Sequence, residues 1–540
     1  MARSKFFILF AVAMFAAVSL KAQINRYMVF FHDKDGSPYS VSNPSAFLSA
    51  KALNRRVKQA VTITSEDIPV NENYVQALRD AGAAVYFRTR WMNGALIQCS
   101  AALVSTISAL PFVQGVELVA PNKKLVGGRS ATPAESNQDN TAGSSTLLQL
   151  HMIGVDEMQA EGYRGEGVTI AVLDAGFPGV NTTAPFHDLI LDGRIDMIVS
   201  RDFIANTNNV FQYDSHGTEV LSTIAAFQDG TFTGAAYRAN FQLFVTEDVS
   251  TEYRIEEYNW LFAAERADSA GADIITTSLG YNQFDDPSMD YSKADLDGKT
   301  AVITRAAQWA ADRGIMVVCS AGNEGANSWG LITVPADASD VLAVANVDAN
   351  GVRSITSSVG PSADGRIKPD IAALGTGVSV IAPSGSLSTA SGTSLSTPLV
   401  AGLLAGLRQR FPDVSNKTLL EAVRKTASQA DAPDNFLGYG IPNFEAVEHY
   451  LAFKPLEKIL AVHPNPFTDQ VTISPRSPAE FPSCSLEIVT LQGQTIARQV
   501  VSFDWLNSSF TADTSKLAAG LYFFRIEMAG QKYVFKMIKS

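Results

Sequence analysis

One pattern limits what this chain can fold into more than any other: from Leu147 to Leu451, short and almost uninterrupted apolar runs alternate with helical stretches. Val168-Thr169-Ile170-Ala171-Val172-Leu173 is one such run, and Ala272 to Thr277, Ile315 to Cys319 and Val341 to Val347 repeat it. A strand with one wet face alternates polar and apolar residues, whereas a strand without polar positions is covered on both faces. Between the runs, Ile255 to Ser269 and Ala301 to Asp312 have the spacing of helices. Parallel strands need crossovers long enough to hold a helix, so the predicted fold class is α/β with a parallel sheet.

The flanks of this segment read differently. Arg3 and Lys5 precede an uncharged apolar stretch, Phe6 to Leu20, which is too short to span a membrane and fits a secretory signal over residues 1–22. Residues 23–121 mix strand candidates (Arg26–Phe31, Ala84–Phe87, Ala95–Cys99, Val116–Val119) with helical stretches (Ala46–Val57, Tyr74–Ala81, Ala101–Leu110). That order predicts an α+β module with two helices on an antiparallel sheet. Residues 122–145 lose all hydrophobic period and read as a linker open to processing. Residues 146–452 form the α/β domain. The last module, residues 458–540, shows short alternating runs with turns at Gln492-Gly493 and Ala519-Gly520, predicting a β-sandwich. Cys99, Cys319 and Cys484 fall in separate modules, so no disulfide is expected and each reads as a half-buried residue.

A net charge of −12 argues against nucleic acid as a partner, because phosphate binding needs a basic face. The chain has six histidines, of which His151, His187, His216 and His449 lie in the α/β segment. Acyl transfer needs a nucleophile, a base with a pKa near neutrality, a group orienting that base and donors for the oxyanion. His216 opens a small-residue helix in Asp214-Ser215-His216-Gly217-Thr218. Asp174 follows the buried run at 168–173, at the end of a parallel strand where α/β folds build their sites. Ser394 stands in Gly392-Thr393-Ser394-Leu395-Ser396-Thr397-Pro398, just ahead of a helix over Leu399 to Arg410 whose N-terminus favours negative charge.

Together these segments resemble the subtilisin-like serine peptidase family. Val172-Leu173-Asp174-Ala175-Gly176, His216-Gly217-Thr218 and Gly392 to Pro398 appear in that family's order of Asp, His and Ser. The resemblance implies a catalytic triad of Asp174, His216 and Ser394, and an acyl-enzyme mechanism hydrolysing peptide bonds. Ser320-Ala321-Gly322-Asn323-Glu324-Gly325 is similar to the family's oxyanion segment, implying that the Asn323 amide acts with the Ser394 N–H. By the same resemblance, Ser278-Leu279-Gly280 pairs with the substrate as an added strand, and Ser320-Ala321-Gly322 forms another wall of the pocket. Glu219 departs from the pattern, standing where the family often has a second histidine; a change in local packing or electrostatics is expected, with activity kept.

Asn93 to Ile97 and Leu110 to Val116 make the N-terminal module look like the family's inhibitory propeptide. Val462-His463-Pro464-Asn465-Pro466-Phe467 and Gly520 to Phe524 resemble the C-terminal sorting domain of type IX secretion. The implied partners are protein or peptide substrates, the chain's own propeptide and outer-membrane secretion machinery. The implied location is secreted or on the cell surface, reached through periplasm and outer membrane. No cofactor is required for the chemistry. Structural calcium is frequent in the family, but no compact oxygen-ligand motif marks a site, and no metal ligands are assigned.

Overall fold

The computed structural model describes residues 24–121, 146–452, 460–475, 483–502, 509–528 and 531–540. The expected signal at 1–22 and linker at 122–145 lie outside the described residues. The described chain falls into two compact units, divided after Val447.

The first unit begins with strand β1 (Ile24–Phe31), helices α1 (Ala50–Lys58) and α2 (Glu72–Asp80), and strands β2 (Ala84–Thr89) and β3 (Gly94–Ser100). A short helix α3 (Val104–Ser108) and strand β4 (Val113–Ala120) complete the module. Its antiparallel sheet has the order β2-β3-β1-β4. The two-residue period of β1 explains why that strand is buried on both sides. Tyr27, Val29 and Phe31 enter the module's own core, while Met28 joins a larger core that includes Ile255, Tyr258 and Val302 of the following domain. Two helices start or stop away from the expected bounds. Ser49 caps α1 by accepting the Ala52 N–H, so the helix begins at Ala50, and Pro44–Ala46 forms a separate turn. The stretch expected as a helix from Ala101 to Leu110 is a 3-10 turn followed by α3, ending at Ser108.

The parallel sheet is built from β5 (Thr169–Asp174), β6 (Arg201–Asp202), β7 (Asn240–Val245), β8 (Ile274–Thr277), β9 (Met316–Ser320), β10 (Leu342–Val347) and β11 (Ile371–Leu374). Its seven strands run in the order β11-β10-β9-β8-β5-β7-β6, and all their pairings are parallel. Helices α4 (His216–Ala225), α5 (Ile255–Ala270), α6 (Val302–Asp312) and α7 (Thr393–Arg410) flank it. Helix α5 ends where Gly271 takes a φ of +93°, and its N–H returns to the Ala267 carbonyl. Strand β7, next to β5, is a run the sequence reading did not single out, although Phe241-Gln242-Leu243-Phe244-Val245 is apolar enough to announce it.

The second unit is a pair of antiparallel sheets. One holds Leu460–His463, Gln470–Pro475 and Phe510–Asp513; the other holds Ser483–Thr490, Thr495–Ser502, Gly520–Met528 and Gln531–Lys539. Phe467, Val471 and Ile473 meet Leu486, Phe524, Ile526 and Met537 in one core, which makes the expected sandwich. All three cysteines are free and fully buried, where half-burial was expected, because each points into the core of its own module. No helix among the described residues is long and apolar enough to cross a membrane.

Candidate active site

The C-terminal ends of adjacent parallel strands bring the predicted residues together. Asp174 is the last residue of β5, a position earlier than the expected site just beyond the strand, and it is fully buried. His216 is the first residue of α4. Its Nδ1 lies 2.7 Å from Asp174 Oδ1, the oxygen that also accepts the Ala175 N–H at 2.7 Å. Such close approach depends on Gly217, where a Cβ would stand 2.3 Å from the Gly176 carbonyl oxygen and 3.0 Å from the Asp174 Cβ. Asp214 does not compete for the ring nitrogen bound to Asp174; its Oδ1 accepts the His216 backbone N–H at 2.9 Å.

Burial pulls the His216 imidazolium down, yet the charge and hydrogen bond of Asp174, with Asp214 and Glu219 behind it, lift its pKa to about 9. Burial in turn pushes the Glu219 carboxyl up, with the His216 cation opposing and the Asp214 charge adding. The Glu219 charge is thus one of those that raise the His216 pKa.

Ser394 sits inside the first turn of α7, and Gly392 occupies the capping position. The expected start at Leu399 is therefore too late, because Pro398 is accommodated within the helix. Proline has no N–H to offer the carbonyl four residues back. That carbonyl belongs to Ser394, and it accepts the Ser278 hydroxyl at 2.8 Å instead. The Ser394 hydroxyl donates to the Ser278 carbonyl at 3.2 Å, which locks the start of α7 to the end of β8. Near a helix N-terminus the backbone N–H groups have no intrahelical acceptor, so that of Ser394 is available. Asn323 Oδ1 accepts the Thr393 backbone N–H at 3.0 Å and the Thr393 hydroxyl at 3.1 Å. This fixes the amide orientation and turns Nδ2, the donor, away from Thr393.

His216, Ser394, Asn323, Ser278, Leu279 and Gly280 all line one cleft of about 420 Å³. Ser320 and Gly322 line it too, while Ala321 is fully buried behind them, its N–H donated to the Val344 carbonyl at 3.0 Å. The lining also includes Glu247, Glu252 and Glu256, each with one carboxylate oxygen within 4.8 Å of those of the other two. Both oxygens of Glu247 accept the Tyr281 hydroxyl at 2.6 Å. A second close group, His151 with Asp156 and Glu157, lies outside the cleft lining. The three glutamates and Thr333, another lining residue, escaped the sequence reading. They belong to no motif, and only the fold brings them to the cleft.

The comparisons with known proteins cover all three modules. The model of the subtilase family matches residues 165–440, that of the Bacteroidota peptidase S8 propeptide domain residues 26–138, and that of the secretion system C-terminal sorting domain residues 461–540. Subtilisin DY of Bacillus licheniformis is 30% identical over 301 residues, covering 55% of this chain and 96% of that protein. An alkaline protease of Alkalihalobacillus alcalophilus is 29% identical over 320 residues, covering 58% of this chain and 74% of the other. The crystal structure of the epidermin leader peptide processing serine protease of Staphylococcus aureus shares the fold, with a TM-score of 0.53 at 15% identity over 79% of this chain and 98% of that one. The propeptide and sorting domains mark a protein that is secreted or held at the cell surface. With its central domain matched by that family and its modules accounted for on either side, the chain belongs to the subtilase family of serine-type endopeptidases.

Proposed function

We propose that the protein cleaves peptide bonds in other proteins through an acyl-enzyme, with Ser394 as nucleophile, His216 as general base and Asp174 as the group that orients it. The observation that carries this reading is the 2.7 Å contact between His216 Nδ1 and Asp174 Oδ1 at the edge of the cleft that also holds Ser394 and Asn323. Asp174 accepts a hydrogen bond from the Nδ1–H, which stays on the ring and leaves Nε2 as the basic nitrogen. On substrate binding the Ser394 hydroxyl turns from the Ser278 carbonyl to Nε2 and attacks the scissile carbonyl. The tetrahedral oxyanion is held by the Ser394 N–H and Asn323 Nδ2, and removal of a side-chain donor of this kind typically costs about 3–4 kcal/mol in the transition state. Collapse releases the amine, protonated by His216, and water then takes the place of Ser394 by the reverse route. The extended substrate pairs with the backbone of Ser278–Gly280, with Ser320–Gly322 as another wall of the pocket, and such pairing favours flexible segments of polypeptide over one fixed sequence.

In this reading the N-terminal module, residues 23–121, inhibits the enzyme until the linker at 122–145 is cut, and the outer-membrane secretion machinery reads the module at 458–540. Mass spectrometry of the full-length chain and its Ser394→Ala form, each with an unfolded protein substrate, tests the proposal. Linker cleavage and peptide release by the wild type alone are expected. Equal cleavage by the variant would remove Ser394 from the mechanism.

A further inference from the structure

The sheet of the N-terminal module needs only α2 and α3 to close its core. Val75 and Leu78 of α2 and Ile107 of α3 meet Tyr27, Val29, Phe31 and Ile97 there, and no residue of that described core lies between His32 and Pro69. Helix α1 falls inside this stretch, yet it buries Ala52, Arg55 and Arg56. A helix of nine residues is marginal alone in water, so α1 depends on what covers it. Most of that cover comes from the catalytic domain.

The contacts fall at the N-terminal ends of three neighbouring strands, β5, β8 and β9. Ser49 donates its N–H to the Ser269 carbonyl at 2.9 Å. Lys51 donates to the hydroxyl of Thr169, the first residue of β5, and pairs with Asp273, just ahead of β8, at 2.9 Å. Arg55 donates to the carbonyls of Ala272 and Arg313. Gln59 accepts the Asn416 N–H at 2.7 Å, and Asn416 Nδ2 donates to the carbonyl of Gly314, ahead of β9, at 2.7 Å. The surface under the helix admits this close approach because it is glycine. A Cβ on Gly271 would lie 2.7 Å from Lys51 Cβ, and one on Gly314 would lie 2.8 Å from Gln59 Cβ. The cleft is at the other end of the sheet: Asp174 closes β5 five residues after Thr169, about 17 Å away at the rise of a strand. Strand β4 ends toward that side, with Ala120 opposite Arg26, whose guanidinium feels the charge of Asp248 next to the cleft residue Val249.

We propose that residues 32–69 are a docking arm for the foot of the catalytic sheet, and that this arm holds the cut N-terminal segment on the working enzyme as a second chain. The inference rests on the reading of a peptidase processed in its linker. Inhibition then belongs to the chain that leaves β4 beside the cleft, and attachment belongs to an arm at the far end, so cutting the linker ends the first and spares the second. The test starts from full-length protein whose linker has been cut, by itself or by added trypsin at Lys123 and Lys124. Gel filtration, mass spectrometry of each fraction and cleavage of an unfolded protein are the readouts. Both chains should elute together in the fraction that cleaves, and a peptidyl chloromethyl ketone that fills the cleft should not displace the N-terminal chain. Lys51→Ala/Gln59→Ala changes two partly exposed residues outside the hydrophobic cores and should raise the dissociation constant of the cut pair by about tenfold or more. A wild-type N-terminal chain that separates on cutting, is displaced by the ketone, or must be digested before activity appears would overturn the proposal. So would a double variant that dissociates as the wild type does. A cut pair that stays together through the arm, yet cleaves nothing even when freed of its N-terminal chain, would instead sink the peptidase reading and leave the docking arm standing.

Discussion

Burial and three carboxylates pull the His216 imidazole in opposite directions, and the carboxylates win, with a pKa of about 9 in the substrate-free enzyme. Only the neutral ring can take the serine proton. The acid limb of kcat/KM reports the free enzyme, so activity should rise with pH across the neutral and mildly alkaline range. Glu219→Gln removes one of the charges that stabilise the imidazolium and leaves the Asp174 contact in place. Its acid limb should move to lower pH by roughly half a unit. A pH profile of kcat/KM for both forms checks this, and a limb that stays put would show that Glu219 is already neutral beside the histidine. Burial does push that carboxyl up, so the outcome turns on how far the His216 cation offsets it. Asp174, His216, Asn323 and Ser394 could be singled out as candidates in the sequence because each stands in a segment that resembles one of the family's motifs. Thr333, which lines the same cleft, could not be, since only the fold sets it beside Gly280 and Gly322.

Helix α5 shows what the N-terminal module does to its neighbour. Asp268, on the outer side of that helix, is fully buried and bound by the guanidinium groups of Arg55, Arg56 and Arg90. Asp67 answers Arg56 at 3.1 Å and Arg313 at 3.0 Å, and Glu265 accepts the backbone N–H groups of Arg90 and Trp91. Charges this deep are stable only while every partner is present, and removing one typically costs about 3–5 kcal/mol. Asp268→Asn should therefore loosen the module by about two to three and a half orders of magnitude in affinity. Once the linker has been cut, gel filtration should separate the N-terminal segment from the variant at concentrations where the wild-type pair stays together; equal co-elution would show that the apolar contacts around Met28 and Trp91 suffice. Runs such as Met316–Ser320 and Leu342–Val347 were readable because a strand covered on both faces leaves a continuous apolar stretch. Nothing in the sequence separates Arg55 and Arg56 from ordinary solvated arginines, because their burial depends on a helix two hundred residues away. The two misjudged helix starts have different origins: at Ala46 a local serine cap from Ser49 to Ala52 sets the start, and at Leu399 a proline's missing hydrogen bond is replaced by a tertiary one.

At the scale of the whole molecule, charge decides which substrates arrive fastest. The chain carries −12, and its cleft is lined by Asp214, Glu219, Glu247, Glu252, Glu256 and Glu324, with no lysine or arginine among the described lining residues. Carboxylates concentrated on one concave surface add their fields, and low-dielectric walls focus the sum toward the opening. A cationic peptide should be drawn in and an anionic one repelled. Salt shortens the reach of that field to about 3 Å at 1 M from about 30 Å at 0.01 M. The kcat/KM for a lysine-rich peptide should accordingly fall by about tenfold as salt rises across that range, while an acidic peptide of the same backbone gains and a neutral one stays nearly constant. The effect should shrink as pH falls, because burial already pushes the Glu247 carboxyl up and it is among the first of these charges to be lost. If all three peptides respond alike, salt is acting on the protein itself, and the acidic wall serves the stability of the cleft rather than the approach of substrate.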